Sequence, residues 1–343
     1  MDTEQANTRA LDPIVQIHPT LRCNLRCLHC YSKSSPREKD QLSTQTIIKL
    51  LSSAHKQGYR TASFSGGEPV LSAGLGTMLR HAKTLGMRTT VTSNGMLLNS
   101  ERLEMISGYT DVLAISLDGV PATHDRIRDC AGAFDRMAAN LDAVRATGVN
   151  FGFIFTLTLN NVNEVGWAAD FALNQGAKLF QIHPLEEVGR AAEALTGRRP
   201  DALECAFAYL EAERIRSQFG DRLFVQLDLF HRDLVARIPE RFYAETDWSP
   251  SSQLAHCISP IVVEADGIVS PVGYGFGRQF VIGCLQHHSL DDLAREWIPN
   301  VYPSFRELCQ RVYVEACKPS PLPFINWYEM LHFASLEPGK NSH

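Results

Sequence analysis

An α/β protein built on a parallel sheet is what this sequence predicts, on three observations. From Ile14 to about Leu185, short β-branched apolar runs alternate with longer segments of helical period. Glycine stands just past four of the helical segments, at Gly58, Gly86, Gly148 and Gly176, where a left-handed residue is least costly. A cluster of cysteines follows directly on the first apolar run, and so on a strand-to-helix loop.

Taken in chain order, strands are expected at Ile14–Ile17, Thr61–Ser65, Arg88–Thr92, Val112–Ser116, Asn150–Leu157 and Lys178–His183. Helices are expected near Thr44–Lys56, Leu75–Leu85, Ser100–Ile106, Phe134–Thr147 and Glu164–Gln175. Six such units joined by right-handed crossovers either curl into a complete or incomplete barrel or lie flat as an open doubly wound sheet. After Gly189 the rhythm is expected to stop: Arg190–Pro200 is rich in Ala, Arg and Gly, and a helix follows from about Ala202 to Gln218. A hairpin is expected from Ile261–Glu264 and Ile268–Pro271 around Asp266-Gly267, then Pro-punctuated helices and an aromatic cluster of Phe324, Trp327, Tyr328 and Phe333.

The 343 residues carry 33 Lys plus Arg against 38 Asp plus Glu, a net charge of −5, so nucleic acid held by bulk positive charge is disfavoured as the main ligand. No run approaches the ~20 apolar residues of a membrane span. The opening MDTEQANTRALD lacks the apolar core of a secretory signal, and a cytoplasmic location is expected. Nine cysteines in a chain too large to need disulfide staples point to metal ligation in a reducing compartment.

Three of them, Cys23, Cys27 and Cys30, lie at spacings of four and three on the loop after the first strand. The C-terminal ends of strands are where α/β sheets carry their chemistry. Three thiolates suit iron in an iron–sulfur cluster, or zinc. A closed zinc site wants a fourth ligand, and His29 is poorly placed for it between Cys27 and Cys30. A [4Fe–4S] cluster on three cysteines leaves one iron open, which is the mark of a catalytic rather than a structural site.

With His29 before the last cysteine and Tyr31 after it, the CxxxCxxC pattern resembles the signature of the radical S-adenosylmethionine (radical SAM) enzymes. Further matches follow in family order: Gly66-Gly67-Glu68-Pro69, Thr92-Ser93-Asn94-Gly95, Ile115-Ser116-Leu117-Asp118-Gly119 and His124-Asp125-Arg126, the whole covering about residues 12–191. The resemblance implies a partial (β/α)6 TIM barrel core over 13–190, after an N-terminal tail of 1–12, with a C-terminal α+β extension over 191–343 that covers the substrate.

It also implies that Cys23, Cys27 and Cys30 hold a [4Fe–4S] cluster whose open iron binds S-adenosylmethionine. Reductive cleavage would then yield methionine and a 5′-deoxyadenosyl radical that takes hydrogen from a substrate. The cofactor pocket would be drawn from His29, Tyr31, Gly66, Gly67, Glu68, Pro69, Ser93, Asn94, Ser116, Asp118 and Arg128, the methionine amino group meeting the Gly-Gly-Glu-Pro backbone. Read by themselves, Gly66 and Gly67 allow close backbone approach to a ligand, Pro69 stiffens the turn, and Glu68 offers a carboxylate beside the cluster. Ser116 and Asp118, two apart at a strand end, point to one face. Where the family often has Gly after the arginine, this chain has Asp129, which departs from the expected local geometry.

The segment from Cys257 through Asp266-Gly267 to Pro271 resembles the start of the SPASM or twitch extensions, but Val272 stands where that pattern has cysteine, so the extension is degenerate. An auxiliary iron–sulfur cluster on some or all of Cys257, Cys284, Cys309 and Cys317 is one expectation; buried thiols acting as small hydrophobes, as assigned also to Cys130 and Cys205, are the other. The pair His287-His288 reads as a solvated loop, and Trp297 and Trp327 as core or lid packing.

The opening CNLRCLHCYS and Ser65 before Gly-Gly-Glu-Pro are most similar to relatives that mature ribosomal peptides or finish tetrapyrroles. A peptide substrate is expected first, a small natural product or tetrapyrrole second, and a non-catalytic iron–sulfur or zinc module is the rival from another class. Only 22 residues precede Cys23, too few for a fused peptide-recognition domain, so a separate recognition protein or direct binding by residues 190–343 is expected. A flavodoxin or ferredoxin would supply electrons, and no membrane partner is expected.

Overall fold

The computed structural model describes residues 12–245, 247–320 and 323–337; the expected N-terminal tail lies outside the described residues but for Asp12. Its strands are β1 (Ile14–Ile17), β2 (Thr61–Phe64), β3 (Arg88–Ser93), β4 (Val112–Ser116), β5 (Phe151–Leu157), β6 (Leu179–Pro184), β7 (Phe224–Leu227), β8 (Phe230–His231), β9 (Ile261–Val263), β10 (Ile268–Pro271), β11 (Gly283–Cys284) and β12 (Phe324–Ile325). Ten of them form one sheet in the order β11-β10-β9-β1-β2-β3-β4-β5-β6-β7, parallel from β9 through β7, with β10 and β11 added antiparallel at one edge. Among the described residues β11 and β7 pair with no further strand, so the barrel is open, and β8 pairs with β12 apart from it.

Alternation along the strands divides the sheet into two faces. Phe64, Val91, Leu113, Ile115, Phe153, Phe155, Phe180 and Ile182 share one core with Leu50, Leu51, Met78, Leu79, Leu103 and Ala168 of the covering helices. The other face presents Gln16, Ser63, Thr90, Thr92, Ser116, Thr156, Gln181 and His183, all half-buried. In a sheet covered by helices on both faces these positions would be apolar, so this polar row marks the concave side.

The expected helices form with local reasons for their bounds. Ser43 caps Thr44–Lys56 by accepting from Thr46 N, and Asn99 caps Ser100–Ser107 by accepting from Arg102 N. Gly58, Gly86, Gly148 and Gly176 all take positive φ, between 71° and 91°. The expected single helix Phe134–Thr147 is instead two, Ala133–Ala139 and Leu141–Ala146, broken at Asn140, whose side-chain amide donates to Gly95 O.

One expectation is overturned after Gly189. The βα rhythm does not stop: helix Ala202–Phe219, with Asp201 and Glu204 forming a reciprocal cap, leads into β7, which pairs in parallel with β6. Only four residues long, with Phe224 and Gln226 exposed, β7 is an edge strand whose pattern is too brief to stand out in the sequence. Residues beyond 191 thus extend the same sheet at both edges. The hairpin of β9 and β10 forms as expected, with Gly267 at φ +92°, and Trp297 and Trp327 are core residues.

Candidate functional site

The cysteine loop, from Cys23 to Cys30, leaves the C-terminal end of β1 and lies across the ends of β2 to β4. Cys23 and Cys27 are buried with Leu25, and Cys30, Met96 and Cys130 pack against them. Cys130, expected as an unremarkable core thiol, therefore borders the cluster loop; its sulfur meets Arg136 Nη2 at 3.4 Å. Arg128 Nη1 donates to Cys27 Sγ (3.7 Å) and Asn94 Nδ2 to Cys23 Sγ (3.9 Å), contacts that favour thiolate. Burial, with Glu68 adding to it, pushes the Cys23 thiol up to about 12, and burial pushes Cys27 to about 11.

Gly66 and Gly67 have a more definite role than approach to a ligand. A Cβ at Gly67 would stand 2.3 Å from Arg22 O, and one at Gly66 would stand 2.8 Å from His18 Cβ, with Gly66 at φ +102°. Gly67 N donates to Thr20 O and Glu68 N to Arg22 O, so the Gly-Gly-Glu-Pro turn is laid backbone to backbone against the root of the cysteine loop. Pro69 starts the short turn that follows.

Glu68 is fully buried. Its Oε1 accepts from the Ser93 hydroxyl (2.9 Å) and its Oε2 from Asn94 N (2.9 Å), while Val70 N caps on it. Burial raises its carboxyl to about 7 against those donors. Glu68 and Ser93 are therefore spent on each other, joining the end of β2 to the end of β3. Asn94 continues the chain of contacts to Asn24 Oδ1 (2.8 Å).

Asp118 is likewise engaged. Arg128 Nε donates to its Oδ2 at 2.6 Å, and although burial opposes its charge, Arg128, then His29 and His124, hold the carboxyl well below its usual range. His124 Nδ1 accepts from Asp118 N, which makes His124 the neutral tautomer; burial brings its pKa to about 4. Asp118 Oδ1 faces His29 Nε2 at 3.4 Å without accepting a hydrogen bond, and His29 Nδ1 is also unpartnered. His29 thus points to Asp118, away from the role of fourth metal ligand. Arg128 is held by Asp118 and Cys27, so it is not free in the way a lone carboxylate receptor would be. Asp129 takes φ +52° and ends helix Pro121–Arg128 in the left-handed conformation that glycine usually supplies, which removes the departure noted in the sequence. Ser116 ends β4, half-buried on the concave side.

Tyr31 heads a second polar group. Its hydroxyl lies 3.2 Å from His18 Nε2 and 3.3 Å from Ser65 Oγ, and Gln16 Nε2 donates to it. Tyr274 stacks on His18 and meets Tyr31 edge-on. Burial lowers His18 to about 3, and its Nδ1 has no partner. A third group stands at the ends of β6 and β7: Asp228 Oδ2 accepts from Gln181 (2.7 Å) and faces His183 Nδ1 (2.9 Å), and Glu186 Oε1 lies 3.7 Å from His183 Nε2. Burial works against the His183 charge, but Asp228 and Glu186 outweigh it and hold its pKa at about 9. Helix Trp327–Leu336 closes over this end, with Glu329 paired to Arg199.

His18, Tyr274, Arg190, His183 and Asp228 were not anticipated. The available signal was a polar residue every second position in strands that read as apolar, Gln16-Ile17-His18 and Gln181-Ile182-His183.

Among the described residues no three His, Cys, Asp or Glu side chains are gathered as ligands of one metal ion. Thiolates on separate corners of an iron–sulfur cube need not converge on one point, and three thiols on one loop, two of them receiving N–H donors, fit such a group. Cys257 and Cys309 are buried, in helix Leu254–Cys257 and helix Tyr302–Ala316, while Cys284 lies in β11 and Cys317 ends the latter helix. Cys205 is half-buried, and His287 and His288 are exposed.

Residues 17–172 match the family model of the Radical SAM superfamily. The chain carries a radical SAM domain. Among curated relatives, Fe-coproporphyrin III synthase of Methanosarcina barkeri is 32% identical over 172 residues, covering 50% of this chain and 43% of its own length. Sporulation killing factor maturation protein SkfB of Bacillus subtilis is 28% identical over 267 residues, covering 76% of this chain and 61% of its own. The chain thus spans less than two thirds of either relative. The crystal structure of Streptococcus suis SuiB bound to S-adenosylmethionine shares the fold at TM-score 0.67 and 16% identity, over 89% of this chain and 70% of that one. The radical SAM domain begins in β1 and ends within helix Val165–Asn174, so β6, β7 and the edge strands β9 to β11 lie beyond the matched segment. No helix among the described residues is long and apolar enough to cross a membrane.

Proposed function

We propose that the chain is a radical SAM enzyme that modifies a peptide. The observation that carries the chemistry is the three-thiol loop at the mouth of the concave face, held by the Gly66-Gly67 turn on one side and bordered by Arg128 and Asn94, with His29 turned toward Asp118. Cys23, Cys27 and Cys30 would hold a [4Fe–4S] cluster, which would supply the one-electron reductive cleavage of S-adenosylmethionine and the hydrogen-abstracting chemistry that follows from it. The chain's own part is to orient and to exclude water. Asp118 Oδ1, His29 Nδ1 and His18 Nδ1 are buried polar atoms without a hydrogen-bond partner among the described residues, and each offers a hydrogen-bonding position to a bound cofactor. The backbone of Gly66 to Pro69, with Tyr31, Asn94 and Ser116 around it, completes the proposed pocket.

A peptide is favoured by the chemistry of the concave face. Gln16, Ser63, Thr90, Thr92, Ser116, Thr156 and Gln181 are uncharged, and His183, the cation of that row, stands between the carboxylates of Asp228 and Glu186. A porphyrin's carboxylates would call for free cations, whereas Arg128 and Arg199 are engaged by protein carboxylates. Similarity to SkfB also runs past the radical SAM domain, over 76% of the chain. A flavodoxin or ferredoxin reductant, a cytoplasmic setting and a separate peptide-recognition protein complete the proposal. No auxiliary cluster is included in it. The test is the 5′-deoxyadenosine formation rate in anaerobically reconstituted, dithionite-reduced protein. A short peptide encoded beside the gene should raise it above the substrate-free rate, and coproporphyrin should not; stimulation by coproporphyrin alone would overturn the substrate class.

A further inference from the structure

Two buried guanidinium groups touch the cysteine loop, and they are compensated differently. Arg128 is neutralised by Asp118 at 2.6 Å. Arg190, on the turn after β6, is only 8% exposed, and no carboxylate among the described residues lies within ion-pair distance of it; Glu193, which feels its charge, is paired with Lys33. Its Nη1 donates to Cys27 O (2.7 Å), its Nη2 to Lys33 O and Ser34 O (2.9 Å each), and its backbone N–H to Cys30 O (2.9 Å). Gly189 before it, at φ +64°, lies so close that a Cβ would stand 2.0 Å from Tyr31 O and 2.8 Å from Cys30 O. The cysteine loop is thus gripped from the far side of the sheet by a residue 163 positions from Cys27.

A buried cation is costly to desolvate unless it meets good partners, and three carbonyl dipoles satisfy its donors without cancelling its charge. Resting on the proposed cluster assignment, we infer that Arg190 is a positioning residue that clamps the Cys27–Ser34 backbone and places a net positive charge behind the cluster, making its one-electron reduction easier. The sign follows from electrostatics: the added electron makes the cluster more negative, and a cation at fixed distance in a poorly screened site favours that state.

The experiment compares wild type, Arg190→Gln and Arg190→Lys as full chains, reconstituted anaerobically with ferrous iron and sulfide. Iron per chain and the midpoint potential, from a reductant titration followed by electron paramagnetic resonance, are the readouts, with circular dichroism checking the fold. Arg190→Gln should hold less iron, and its remaining cluster should reduce at a more negative potential. Arg190→Lys keeps the charge but lacks the fork for three carbonyls, so it should also lose iron while its potential returns toward wild type. In the metal-free protein, amide exchange across residues 27–35 should quicken in Arg190→Gln. Wild-type iron, potential and exchange in Arg190→Gln would overturn the inference, as would equal potential shifts in both variants. A wild-type chain that takes up no iron would sink the cluster assignment, and the exchange measurement would still decide the clamp.

Discussion

Around Cys23 and Cys27, at the ends of β2 to β4, Glu68, Ser93, Asn94, Asp118 and Arg128 are buried and bonded in two sets, Glu68 with Ser93 and Asn94, and Asp118 with Arg128, each reaching one cysteine sulfur. At the ends of β6 and β7, His183 keeps 37% of its side chain accessible, and its Nε2 lies 3.7 Å from Glu186 Oε1. The first region resembles a folded core that happens to be polar, in which each group fixes the next. The second is a polar surface held half open. A reaction that handles a radical needs the former for geometry and the latter for admitting something variable, and the sheet supplies the first at its middle strands and the second toward one edge.

Four substitutions test that contrast, in decreasing order of effect. Gly67→Ala drives a methyl into Arg22 O, a backbone atom that cannot swing aside, so it should lower unfolding free energy by about 3 kcal/mol in urea melts. An unchanged midpoint would mean the two loops are not rigidly apposed. Glu68→Ala leaves the Ser93 hydroxyl and Asn94 N–H without acceptors in a dry site, at a cost of about 2 kcal/mol by the same measurement.

At the open end the effect should be electrostatic and small. His183 has a folded pKa of about 9 against roughly 6.5 unfolded, so its stabilisation is complete below about pH 6.5 and is lost as pH rises through about 9. Asp228→Asn should bring the His183 titration, followed by NMR, down toward its ordinary value. The stability difference from wild type should then shrink as the pH approaches 9. A histidine titrating near 6.5 in wild type would show that Asp228 does not hold it. Asp129→Gly should change stability by less than about 1 kcal/mol, on the favourable side, because glycine takes φ +52° without strain.

The same contrast explains what could be read in the sequence. Glycine-rich turns, cysteine spacing and β-branched runs are local signals, and the cluster end is built from them: β1 and β4 fell on their expected residues, and Gly58 and Gly86 closed their helices. The contacts that tie this region to the rest of the site are long-range. Arg190 reaches back to Cys27, Tyr274 stacks on His18, and Glu329 meets Arg199, pairs with no period or spacing to announce them. Asp129 misled in the other direction, since its sequence departs from the family pattern while its backbone conformation does not. β7 escaped because four residues at a sheet edge carry too little alternation.

The most direct test of the radical SAM assignment is anaerobic reconstitution followed by dithionite reduction in the presence of S-adenosylmethionine. Four irons per chain, lost when Cys23, Cys27 and Cys30 are replaced by alanine, together with 5′-deoxyadenosine and methionine in the product mixture, are the expected result. A chain that binds zinc in place of iron, or whose reduced cluster leaves S-adenosylmethionine intact, would contradict it.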